Sequence, residues 1–169
     1  MKRLYAPWRH EYINKLPKDT VNIKTGSDEC VFCKQVAAGT DDKFFILKRL
    51  NHCFVMMNLY PYSVGHIMVL PYDHHGELTD LASDVRAEMM DGVTLATQVM
   101  TEVLNAKGFN IGINLGIAGG GGIPSHVHIH VLPRWRGDTN FLETIGQVKL
   151  LSGDFEKTFQ ALKAGFERF

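Results

Sequence analysis

Three histidines, His126, His128 and His130, alternate with Val127, Ile129 and Val131 in the segment SHVHIHVLPRW. Along an extended strand successive side chains point to opposite faces, so this spacing predicts three imidazoles on one surface and three aliphatic groups on the other. At ~3.3 Å per residue the imidazoles span roughly 13 Å, which suits a pocket floor better than a shell around one atom. A neutral imidazole is a nucleophile near neutral pH, and an imidazolium beside it can donate a proton or stabilise phosphate charge. Ahead of them stand four glycines, Gly119, Gly120, Gly121 and Gly122, followed by Pro124 and Ser125. Such a stretch can turn successive backbone N–H groups toward anionic oxygens. It matches neither the dinucleotide fingerprint nor the P-loop, so by itself it reads equally well as a plain turn. Beside the histidines it points to phosphoryl or nucleotidyl transfer.

A second group is Cys30-x-x-Cys33, a metal or redox pair. A closed zinc site needs two more ligands, and a lone CxxC is a weak signal. Cys53 lies in an apolar run and reads as strand packing, while His52 and His10 carry no functional claim. Three cysteines are too few for a disulfide framework and suit a reducing compartment.

The elements that must hold these groups follow from periodicity. Residues 44–50 and 53–60 read as β-rich runs, and 66–71 as a short apolar strand after a turn at 61–65. Between 80 and 106, Leu81, Val85, Met89, Val93, Ala96, Met100, Val103 and Leu104 recur at helical spacing, with Gly108 as the stop. Met89, Met90 and Met100 are assigned to core packing. Phe109, Ile111, Ile113 and Leu115 then alternate with Asn110, Gly112 and Asn114 as a half-buried strand. Phe155, Phe159, Leu162 and Phe166 mark a final amphipathic helix.

The whole chain has 169 residues, the size of one domain. Its 18 basic and 18 acidic residues cancel, which excludes a broad electropositive surface for nucleic-acid polymers. With 45% hydrophobic and 21% charged residues it is expected to fold, and no run approaches the ~20 apolar residues of a membrane span. A soluble cytoplasmic protein is expected, with a turn-rich arm over 1–26, a main domain over 27–141 and a tail with a helix over 142–169.

The run His126 to Leu132 resembles the hallmark of the histidine triad (HIT) family, His-φ-His-φ-His followed by two apolar residues. The likeness extends through HCFVMMNLYPYSVGHIMVLPYDHH, GFNIGINLG and HVHIHVLPRWRGDTNF, and LYAPWRHEYI is similar to an opening found in a bacterial branch of diadenosine tetraphosphate phosphorylases and hydrolases. The resemblance implies an α+β fold, about five antiparallel strands with helices, and a homodimer in which two sheets face a shared helical interface, with the carboxy-terminal tail near the partner's active site. It also implies that His128 attacks the α-phosphate of a purine nucleotide or dinucleotide and forms a nucleotidyl-histidine. His130, His66 and Asn114 would flank it, Gly120, Gly121, Gly122 and Ser125 would contact phosphate, and Asn58 would hold the ribose. Val31, Phe32 and Leu59 would sandwich the base. In zinc-bearing relatives the ligands correspond to Cys30, Cys33, His74 and His126, a structural clamp, with His75 competing for the third place.

Two departures stand out. Other branches place a glutamine where this chain has Gly122, and the loop from Asn114 to His126 is one residue longer, which leaves hydrolysis against phosphorolysis open. Arg134, Arg136 and Lys149 are either phosphate ligands or ordinary solvated charges. A metal-dependent hydrolase built on the His-x-His pair is a competing reading, but residues 131–137 lack the carboxylate it would want. A non-catalytic nucleotide-binding module is the third.

Overall fold

A computed structural model describes residues 29–148 and 153–169. The arm over 1–26, with His10, and Lys149 lie outside the described residues. Helix α1 (Val31–Ala37) leads through a short 3-10 turn into strands β1 (Ile46–Arg49), β2 (Cys53–Met57) and β3 (Ile67–Pro71). Helix α2 (Ser83–Leu104) follows, then β4 (Gly108–Ile113), β5 (Ile129–Arg134), the short α3 (Phe141–Thr144) and α4 (Phe155–Arg168). The strands form one sheet in the order β1-β2-β3-β5-β4, every neighbour antiparallel.

Both faces of the central strands are covered, so β2 and β3 are continuous apolar runs with every residue buried. One face carries Cys53, Val55, Met57, Ile67, Val69, Ile129 and Val131 against α2 and α4. The other carries Ile46, Phe54, Met56, Met68 and Leu70 beneath Cys30 and Phe32 of the α1 segment. Register fixes which face receives the histidines: Met68 pairs with His130 and Val69 with Ile129, so His130 shares the α1 face.

Three sequence expectations need correction. Helix α2 stops at Asn105, a left-handed cap at φ 53°, while Gly108 opens β4; asparagine tolerates that conformation through its short polar side chain. Met90 is 52% exposed, unlike buried Met89 and Met100, because it falls on the outer side of the helix. Ile111 is 49% exposed although Phe109 and Ile113 on the same strand pack on the core, since β4 is an edge strand. The terminal helix is no appendage: Phe159, Leu162 and Phe166 are fully buried in the main core. Close approach of α4 to α2 requires Gly165, where a Cβ would lie 2.7 Å from Val103 Cγ2 and 2.8 Å from Val99 Cγ1.

Candidate active site and metal cluster

His126, His128 and His130 are all buried, at 0%, 7% and 6% exposure, along the approach to β5 and its first residues. Their environments differ, and each ring's proton is placed by a neighbour. The Nδ1–H of His128 donates to the carbonyl of His126 at 2.9 Å. A carbonyl only accepts, so in the neutral ring the lone pair resides on Nε2. Burial holds the His128 pKa below the ordinary imidazole value, opposed by that hydrogen bond, so the neutral ring is favoured at neutral pH.

His130 belongs to a different chain of bonds. The backbone N–H of Tyr62 donates to His66 Nδ1 at 3.1 Å, which leaves the His66 proton on Nε2. That nitrogen lies 2.9 Å from His130 Nδ1 and donates to it. His130 in its neutral form therefore carries its proton on Nε2, 3.5 Å from Asn114 Nδ2, so two donors stand side by side and neither bonds the other. Burial, then the neighbouring His130 and His128, push the His66 pKa down to about 3. Asn58 is oriented by the Tyr60 N–H, which donates to its Oδ1 at 2.9 Å, and its Nδ2 lies 3.4 Å from His66 Nδ1. Three sequence-selected residues, Asn58, His66 and His130, thus form one network beside His128, with the Asn114 amide next to it; the His128 ring is 4.7 Å from that of His130. The Tyr62 backbone donor was missed, and no side-chain pattern could have signalled it.

His126 turns the other way. Its Nε2–H donates to the Pro71 carbonyl at 2.9 Å, freeing Nδ1 to face Cys30 Sγ at 3.4 Å, Cys33 Sγ at 3.5 Å and His74 Nδ1 at 3.4 Å. Cys33 Sγ is also 3.4 Å from His74 Nδ1, and the four donor atoms all lie within 4.8 Å of one another. Tetrahedral zinc bonds imply donor separations of roughly 3.3–3.8 Å, so this sulfur and nitrogen set fits such an ion. Burial lowers the His126 pKa to about 4, keeping the ring in the neutral form a metal ligand requires. His75 is outside the cluster; its carbonyl instead accepts from Val127 N–H at 2.7 Å. That bond, with Gly76 so close that a Cβ would lie 2.5 Å from the Pro124 carbonyl, brings the His74 turn against His126.

Other sequence candidates separate. Phe32 is 7% exposed, its ring edge-on to His126 at 5.6 Å and to His128 at 5.4 Å, while Val31 and Leu59 are exposed. The glycine run lies in the turn after Asn114; Gly120 has φ +85°, and Gly119 passes so close that a Cβ would meet the Leu115 carbonyl at 2.2 Å. Ser125 lines a cleft with His74, Gly76, Glu77, Gly116 and Ile117. Arg134, left open between phosphate ligand and solvated charge, is held by Asp138 at 2.6 and 2.8 Å and by Asn110 at 2.6 Å. Arg136 stays exposed. Cys53 is fully buried, and burial followed by Glu88 pushes its thiol up to about 12, consistent with inert packing. The His-x-His metal-hydrolase reading fails on geometry: His126 joins the cysteines, and His130 bonds His66.

The family model for the HIT domain matches residues 40–137. The chain belongs to the HIT family. An AP-4-A phosphorylase of Mycobacterium tuberculosis is 36% identical over 151 residues, covering 89% of this chain and 77% of that protein. An asymmetrical bis(5'-nucleosyl)-tetraphosphatase of Schizosaccharomyces pombe is 35% identical over 94 residues, covering 56% of this chain and 50% of its own. Among solved structures, a Zn-bound histidine triad family protein from Mycobacterium smegmatis superposes with a TM-score of 0.70 at 28% identity, over 85% of this chain and 96% of that one. The HIT fold, with its single five-stranded antiparallel sheet and helices, is the fold seen here. No helix among the described residues is long and apolar enough to cross a membrane.

Proposed function

We propose that this HIT protein transfers a nucleotidyl group from an adenosine dinucleotide polyphosphate, with His128 as the nucleophile and phosphate as the final acceptor. The observation that carries the reading is the His128 Nδ1–H bond to the His126 carbonyl, which leaves Nε2 unprotonated on a buried neutral ring. In the first step Nε2 forms a bond to the α-phosphorus and the bond to the polyphosphate oxygen breaks, the electron pair leaving with ATP when the substrate is diadenosine tetraphosphate. The imidazolium so formed keeps its Nδ1–H on the His126 carbonyl. His130 Nε2–H, backed by His66, and Asn114 donate to the phosphoryl oxygens as charge develops. In the second step inorganic phosphate attacks the same phosphorus, the N–P bond breaks, and ADP leaves with His128 neutral again.

Phosphorolysis is preferred to hydrolysis because the phosphorylase relative shares most of this chain, whereas the tetraphosphatase relative shares a shorter stretch. Cys30, Cys33, His74 and His126 would hold a structural zinc ion. Bound there, the ion would supply a cross-link between the α1 segment, the turn after β3 and the residues just ahead of β5, and no chemistry on the substrate. The HIT protein pairs as a homodimer through edge strand β4, whose exposed Ile111 lies near exposed Leu115 in sequence.

Diadenosine tetraphosphate supplied with and without inorganic phosphate tests the reaction. ADP and ATP are expected only with phosphate; AMP and ATP formed equally fast without it would replace phosphorolysis by hydrolysis. No cleavage in either mixture would refute the enzymatic reading and favour a binding module.

A further inference from the structure

Gln35 is a buried polar residue on the helix that carries Phe32. It lies within α1, is 8% exposed, and its Oε1 has no hydrogen-bond partner among the described residues. Buried acceptors in native proteins nearly always find a donor, so an orphan marks a place where a ligand or water supplies one. Residues three and four apart are neighbours on a helix, which puts Gln35 beside both Phe32 and Val31. Phe32 touches the rings of His126 and His128, and Val31 remains 42% exposed.

The surroundings of His128 are therefore unlike on two sides. One side holds His130, His66 and Asn114, all polar. The other holds α1 over Ile46, Phe54 and Met56, an apolar wall. Charged phosphates fit the first and a flat base fits the second. Gln35 is the one side-chain amide on α1, one helical turn from Phe32.

We infer that Gln35 reads the nucleobase: its Oε1 accepts from the exocyclic 6-amino group of adenine, and its Nε2–H donates to the adjacent ring nitrogen. The inference rests on the adenosine reading of the His128 site. An amide offers an acceptor and a donor side by side, which is the complement of the adenine edge. A purine lacking the 6-amino group leaves Oε1 without a donor, as it is in the free protein.

The test compares diadenosine tetraphosphate with its purine-riboside counterpart, which lacks both 6-amino groups, in wild type, Gln35→Leu and Gln35→Glu. Wild type is expected to favour the adenine substrate by about 10-fold or more in kcat/KM, the scale of one good base-edge contact. Gln35→Leu should lower adenine turnover by a similar factor and bring the ratio close to one, while Gln35→Glu, which keeps an acceptor oxygen, retains a preference. A wild-type ratio of one, or a Gln35→Leu protein with wild-type melting and an unchanged ratio, overturns the inference while leaving the role of His128 standing. Failure of wild type to cleave either dinucleotide overturns the enzymatic reading, and this inference with it.

Discussion

Each histidine here has a job set by which backbone group holds its second nitrogen. His128 gives a proton to one carbonyl, His126 to another, and His66 receives one from the Tyr62 amide. On the proposed reading the same residue type thereby serves as nucleophile, metal ligand and positioning group. His66→Ala removes the donor to His130 and is expected to lower kcat by about 100-fold, the scale of a general acid–base contribution, with a smaller change in KM. Steady-state kinetics check this, and a wild-type kcat would remove His66 from the reaction. His66 also makes stability depend on pH. Its folded pKa of about 3 lies below the ordinary 6.5, so between those values the unfolded chain binds a proton that the folded chain refuses. Its contribution is complete above pH ~6.5 and declines as pH falls toward 3, by at most about 1.4 kcal/mol per pH unit. Urea unfolding at pH 7, 6 and 5 should therefore show a steeper loss in wild type than in His66→Leu; equal slopes would contradict the burial of a neutral ring.

At the scale of elements, the cysteine cluster joins α1 and the residue before it to the turn after β3 and to His126. Cys33→Ser is expected to lower bound zinc measured by metal analysis, and to lower the melting temperature, more than it lowers affinity for nucleotide; unchanged zinc content would dismiss the clamp. Gly165→Val drives a side chain into Val99 and Val103 and should cost about 1–3 kcal/mol in urea unfolding, as overpacking does. An unchanged midpoint would mean that α4 stands further from α2 than described. Strong periodicity made the long helix, the terminal helix and the histidine strand legible in the sequence, because burial on one face selects residue type there. The cluster was legible through family likeness and not through spacing, since His74 and His126 are far from the cysteines along the chain. Gln35 and the Tyr62 amide were not legible. One is a lone amide in a seven-residue helix, and the other is backbone, which any side chain can accompany.

For the whole molecule, one sheet separates two duties. The face under α2 and α4 carries the main core, and the face under α1 carries a smaller apolar cluster and the histidines, between the cysteine cluster and the His66 network. Ile111→Lys, at the open edge of that sheet, is expected to shift a homodimer toward monomer in sedimentation or light scattering; a monomeric wild type would remove the proposed pairing. The central claim is the covalent bond at His128 Nε2. Rapid mixing with diadenosine tetraphosphate in the absence of phosphate, quenching under alkaline denaturing conditions and mapping peptides by mass should find one adenylyl group on His128, absent in His128→Ala and discharged as ADP when phosphate is added before the quench. Cleavage of substrate at the wild-type rate by His128→Ala, or an adenylyl group carried on another residue, would contradict the account.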